Sequence, residues 1–207
     1  MPEGALTFIH RFEPGAEPPI LLLHGTGGDE SDLVPLGRML APDSALLSPR
    51  GAVLENGMPR FFRRFAEGRF DEEDVVRRAE DLADFVIAAR ERYGIGAPYA
   101  LGYSNGANIA AAVLLLRPEV LAGAALLRPM LPLGSPPRPD LSGRPVLIIS
   151  GLADPIARPE TVEPLADALS SAGARVEHTR LRTGHGLTQD DFAAVRAWLN
   201  ALPAPRS

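Results

Sequence analysis

The segment Gly102-Tyr103-Ser104-Asn105-Gly106 constrains this chain more than any other. It has the form Gly-x-Ser-x-Gly. The apolar residues Tyr99-Ala100-Leu101 precede it, and a small-residue pattern with helical spacing follows over 107–116. A strand that turns straight into a helix at a serine leaves little room beside that serine, so the positions two before and two after it must be small. The turn pushes the hydroxyl out above the sheet and sets a helix N-terminus beneath it. A chain built on such a corner needs a sheet whose strands lead into helices. The plainer use of the same string is a glycine-rich turn whose serine caps the helix.

The rest of the sequence supplies that sheet. Short apolar runs at 6–12, 20–23, 45–47, 99–101, 122–127, 146–149 and 176–181 alternate with helical patterns. This alternation predicts an α/β fold with a mostly parallel sheet of about seven strands, covered by helices on both faces. The 207 residues fit one domain over 1–207, with 203–207 as a frayed tail. The 20 glycines and 21 prolines call for many tight connections. Asp71 is expected to cap a helix running to Tyr93 and stopped by Gly94. Thr188, with Asp191 three residues on, is expected to cap the last helix, where Phe192, Val195, Leu199 and Leu202 face the core. Asp190 and Asp191 also suit the positive end of that helix. A helix near 160–171 contains Pro164, which is expected close to its start, where a missing N–H costs least. Two long loops remain, 51–70 and the proline-rich 128–144. In the first, Phe61, Phe62 and Phe65 either pack a short helix onto the body or wall a pocket.

Charge and composition exclude several classes of function. The net charge of −5 gives no electrostatic case for nucleic acid or an anionic membrane. No stretch approaches the roughly 18 apolar residues of a membrane span. The opening Met1-Pro2-Glu3-Gly4 has neither the positive region nor the apolar core of a secretory signal, so the expected location is cytoplasmic. With no cysteine, disulfides, thiolate metal sites and a cysteine nucleophile are all excluded.

A serine hydroxyl needs a base to take its proton, and the base needs a carboxylate to fix its tautomer. In the chain order Ser, Asp, His, both partners follow Ser104. Asp154 comes just after the buried-looking run 146–149, past the C-terminal end of a strand, where parallel sheets place their chemistry. The alternative there is an Asp-Pro turn with a solvated side chain. His185 lies in Thr183-Gly184-His185-Gly186, and glycines on both sides let the loop approach the serine. His178 is the other histidine after Ser104, but it falls inside the final strand. His24-Gly25-Thr26-Gly27-Gly28 follows the second strand and can aim backbone N–H groups at the site above Ser104. The expected oxyanion donors are the amides of Thr26 and Asn105, with His24 in a structural role. The glycine-rich phosphate-binding patterns Gly-x-Gly-x-x-Gly and Gly-Lys-Ser/Thr are both missing.

With these markers the chain resembles the α/β-hydrolase superfamily, and more narrowly its small bacterial carboxylesterase/phospholipase group, close to acyl-protein thioesterases and dienelactone hydrolases. The motifs are Leu23-His24-Gly25-Thr26-Gly27-Gly28, Gly102-Tyr103-Ser104-Asn105-Gly106, Ser150-Gly151-Leu152-Ala153-Asp154-Pro155 and Gly184-His185. Met58-Pro59-Arg60-Phe61-Phe62-Arg63-Arg64 is similar to a predicted-esterase branch linked to quinone and aromatic-compound stress. The resemblance implies Ser104, Asp154 and His185 as a catalytic triad, Thr26 and Asn105 as oxyanion donors, and no metal or organic cofactor. Unlike dienelactone hydrolases, this chain has no cysteine to serve as nucleophile. Asp154 follows Ser104 by only 50 positions, so no lid domain is inserted and small, soluble esters are the expected substrates. A thioesterase or lysophospholipase would use the same triad, and an apolar channel along the candidate pocket residues Phe61, Phe62, Met130 and Leu131 would favour acyl chains. A non-catalytic binding protein on the same fold is the alternative of another class. The arginines between 60 and 69 are expected to form a solvated face paired with Asp71 to Asp74, against the alternative of an anion-binding site. The direction of each is open, and Arg60, Arg63 or Arg64 pointing inward would favour acidic esters. An edge strand or the proline-rich segment leaves room for a homodimer, for which the sequence carries no deciding signal.

Overall fold

Neighbouring apolar residues on the central strands belong to opposite cores. Leu21 and Leu23 join one apolar cluster, while Ile20 and Leu22 join the other. Val146 and Ile148 part from Leu147 and Ile149 in the same way. Successive side chains of a strand point to opposite faces, so a strand that is apolar at every position needs cover on both sides.

The computed structural model describes residues 6–202. In chain order its strands are β1 (His10–Glu13), β2 (Ala16–Leu23), β3 (Ser44–Pro49), β4 (Val53–Glu55), β5 (Met58–Arg60), β6 (Arg64–Ala66), β7 (Arg69–Phe70), β8 (Tyr99–Tyr103), β9 (Gly123–Leu127), β10 (Pro145–Gly151) and β11 (Arg175–Leu181). The helices are α1 (Val34–Leu40), α2 (Glu72–Tyr93), α3 (Asn105–Leu116), α4 (Pro159–Ser171) and α5 (Gln189–Asn200). A seven-stranded sheet runs β1-β3-β2-β8-β9-β10-β11, and every pair in it is parallel except β1 with β3. Residues of α2, α3 and α4 fill the core on one face, and those of α1 and α5 fill the other. Helix α3 is buried from Asn105 to Leu115, and its alanines let it lie close against the sheet. No described helix is long and apolar enough to cross a membrane.

Helix ends follow the sequence closely. Asp71 caps α2 by accepting from the Asp74 N–H, and Gly94 closes it at φ +64°. Thr188 and Asp191 form a reciprocal capping box at α5. Three expectations need correction. The run 6–12 yields a strand only from His10, which pairs with Pro49 at the end of β3; one further bond, from the Arg50 N–H to the Ile9 carbonyl at 2.7 Å, closes the ladder. Pro164 lies in the second turn of α4, and Pro159 occupies the first. The helix tolerates this because Glu160, whose carbonyl loses its usual donor, is exposed to water. Finally, 51–70 is no open loop and holds no helix. It folds as two hairpins, β4–β5 and β6–β7. Asn56 and Gly57 turn the first at φ +51° and +79°, the left-handed values that favour an Asn-Gly pair. Phe61 and Phe62 are buried in the core, and Phe65 faces solvent. The expected tail at 203–207 lies outside the described residues.

Candidate active site

The corner between β8 and α3 is as tight as the glycines require. A Cβ on Gly106 would sit 2.0 Å from the Leu23 carbonyl oxygen, and one on Gly102 would sit 2.6 Å from that of Gly106. Ser104 between them holds φ +52° and ψ −113°, a conformation that side chains other than glycine rarely adopt. Its N–H bonds the Leu127 carbonyl of the neighbouring strand, which braces the strained corner.

Three side chains meet in series at this end of the sheet. His185 Nε2 lies 3.0 Å from Ser104 Oγ, and His185 Nδ1 lies 2.8 Å from Asp154 Oδ2. An ionised carboxylate can only accept, so beside one Nδ1 carries the hydrogen and Nε2 faces Ser104 Oγ with its lone pair. Asp154 is buried, and its other oxygen accepts from the N–H groups of Ile156 and Ala157 at 2.8 and 3.0 Å. A hydroxyl, an imidazole and a fixed carboxylate in this order are the parts of a base-activated nucleophile.

The loop after β2 comes up beside Ser104. The N–H groups of Thr26 and Asn105 have no hydrogen-bond partner among the described residues, and both residues line the cavity over Ser104. His24 sits beneath this loop with a structural task. Its Nδ1 donates to the Gly25 carbonyl at 2.7 Å, and its Nε2 accepts from the Gly51 N–H at 2.9 Å. Burial pushes its pKa down, which suits a neutral ring that both donates and accepts. His178 lies on β11, away from the serine, with Nε2 2.8 Å from Ser150 Oγ.

The cavity encloses about 240 Å³. Met130 lines it, together with Arg60, Arg64, Phe70, Tyr103 and Ile156. The other three residues expected there stand elsewhere. Phe61 and Phe62 are turned into the core, and Leu131 opens onto a separate hollow beside Pro164. Among the described residues no cluster of three or more histidines and acids is placed to hold a metal ion.

Two buried arginines escape a motif-based reading. Arg128 is fully buried at φ +55° and pairs bidentately with Asp191, at 2.7 and 3.0 Å. Its remaining donors reach the carbonyls of Gly184 and Gly186, at 2.9 and 3.1 Å. It therefore grips the chain on both sides of His185. Tyr103 adds a hydroxyl bond to the carbonyl of His185 itself, at 3.1 Å. Asp191 thus does more than answer the helix dipole: it neutralises a cation in the core. Arg60, 3% exposed, is the second. Its neighbours in sequence do form paired surface, Arg63 with Asp71 and Asp74, and Arg64 with Glu55.

No protein-family model matches the chain. It is 47% identical over 192 residues to a Bacillus subtilis (strain 168) protein named "Putative hydrolase MhqD", covering 91% of this chain and 96% of that one. The crystal structure of the Bacillus cereus carboxylesterase matches it with a TM-score of 0.91 at 42% identity, covering 95% of both chains. The structure of YahD with malic acid matches with a TM-score of 0.88 at 30% identity, covering 94% of this chain and 98% of that one. The chain belongs to the α/β-hydrolase superfamily. Within it, the chain falls in the small bacterial carboxylesterase group and is an esterase-type hydrolase.

Proposed function

We propose that the protein is a serine carboxylesterase that cleaves small esters through an acyl-enzyme. The observation that carries this reading is the unbroken chain from Ser104 Oγ through the His185 ring to Asp154, with gaps of 3.0 and 2.8 Å. His185 takes the Ser104 proton as Oγ attacks the ester carbonyl. The N–H groups of Thr26 and Asn105 hold the oxyanion. The tetrahedral adduct collapses, the C–O bond to the alcohol breaks, and His185 returns the proton to the departing oxygen. Water then attacks the acyl-serine, again giving its proton to His185, and the acid leaves with Ser104 restored. Every electron pair moves between substrate, water and these side chains, so the scheme requires no metal or organic cofactor.

The cavity favours small esters over long acyl chains. About 240 Å³ falls below the roughly 300–1,000 Å³ of pockets that take drug-sized ligands. An apolar channel along Phe61, Phe62 and Leu131 is not formed by the described residues. In this reading the enzyme works in the cytoplasm on soluble small molecules, in keeping with its cysteine-free, acidic chain. The test is turnover of p-nitrophenyl acetate by wild type and Ser104→Ala. The variant is expected to lose a rate factor on the order of a million. Wild-type turnover by Ser104→Ala would contradict the mechanism.

A further inference from the structure

Arg60 is a buried cation whose neutralisation is shared. Its Nη1 donates to Thr26 Oγ1 at 2.5 Å and its Nε to the Phe62 carbonyl at 3.2 Å, and its guanidinium lies over the Phe62 ring. The carboxylate nearest to it, Glu55, stands 3.7 Å away and is already held by both arms of Arg64, at 3.0 and 2.9 Å. Nη2 has no hydrogen-bond partner among the described residues. Burial, with Arg64 alongside, pushes the Arg60 pKa down to about 10, which leaves it charged at neutral pH.

Arg60 and Ser104 line the same cavity. So does Asn105, whose buried Nδ2 also donates to nothing while its Oδ1 accepts from the Phe61 N–H. The acid on the cavity wall outside the triad is Glu67, which is exposed beside the β6–β7 turn and ion-paired to neither arginine. A solvated rim carboxylate is screened by water, whereas a desolvated guanidinium is not. The cavity therefore offers a buried positive charge with a free donor, close to the loop that carries Thr26.

We infer that Arg60 is a specificity residue, and that the esters this enzyme prefers carry a carboxylate a few carbons from the scissile carbonyl. This rests on the esterase reading above and narrows its substrate class. The guanidinium fork matches a carboxylate in shape and charge. One partly neutralised cation suits a monoanion better than a phosphate dianion, and the small cavity brings the anion and the reacting carbonyl within one short molecule.

The test compares methyl hydrogen succinate with methyl butanoate, of similar length but neutral, following acid release at pH 7 in low salt. Wild type is expected to favour the anionic ester at least tenfold in kcat/KM, and that preference is expected to shrink as salt is added. In Arg60→Gln the ratio should fall tenfold or more. A measurement on wild type alone guards against a variant that does not fold: succinate should inhibit competitively and butanamide should not. Turnover of methyl butanoate with no preference for the anionic ester, and no inhibition by succinate, would overturn this inference and leave the esterase standing. Failure to cleave either methyl ester would overturn this inference, and failure on p-nitrophenyl acetate as well would overturn the esterase reading.

Discussion

Two arginines are drawn inside this molecule near one serine, and they are treated differently. Arg128 has a carboxylate to itself: Asp191, fully buried, meets it with both oxygens. All its remaining bonds end on backbone carbonyls. Arg60 has a share in Glu55 and one donor left over. The contrast separates two uses of a buried charge. Removing a charge from water costs several kcal/mol, and a dedicated, well-aligned partner must offset it for the group to serve as structure. Where the partner is shared and a donor stays open to a cavity, some of the compensation is left for a ligand to supply.

The largest effect should come from breaking the dedicated pair. Arg128→Met strands Asp191 in the core and should cost about 3–5 kcal/mol, read as a drop in the urea midpoint. It also frees the loop around His185, so turnover of neutral and anionic esters should fall together. Adding Asp191→Leu should recover part of the stability, since an apolar pair can replace a buried ion pair while the capping box with Thr188 is lost, but not the turnover. Full recovery of turnover would mean that the Gly184 and Gly186 carbonyls need no holding. Tyr103→Phe is a milder blow to the same loop. Losing its hydroxyl bond should cost about 1 kcal/mol and lower kcat a few-fold, with the ratio between the two esters unchanged. Arg64→Gln works on the other side of the comparison. The pair it breaks is partly exposed and worth about 0–1 kcal/mol. Yet it releases Glu55 to Arg60, so the anionic-to-neutral ratio should fall a few-fold while the melting temperature barely moves.

What could be read beforehand was local. Gly102 and Gly106 announce the corner, Asp154 follows a strand that is apolar throughout, and His185 stands between glycines. Caps at Asp71, Gly94 and Thr188 are written within a few residues of the helix ends they serve. Arg128 could not be found this way. It is bonded to residues 56, 58 and 63 positions onward, and only the sheet order brings β9 beside the loop before α5. Asp191 was legible as a cap, but its second role depends on that same juxtaposition. The hairpin before Arg60 was in principle readable, because Asn56-Gly57 between two short runs is a strong turn signal. The direction of Arg60 was not: Met58 stands two positions before it on the same face of β5 and is exposed, while Arg60 is buried. The density of arginine and phenylalanine in 60–70 obscured that turn and suggested a helix. Phe61 and Phe62 look like pocket residues by composition, and only the path of the chain after β5 shows them facing the core.

The central claim is that Ser104, made nucleophilic by His185 and Asp154, does the chemistry. A fluorophosphonate probe followed by peptide mapping tests it most directly. One adduct is expected on the folded wild-type protein, at Ser104, formed far more slowly in His185→Ala. A folded protein that takes up no probe, or takes it up at another residue, would contradict it.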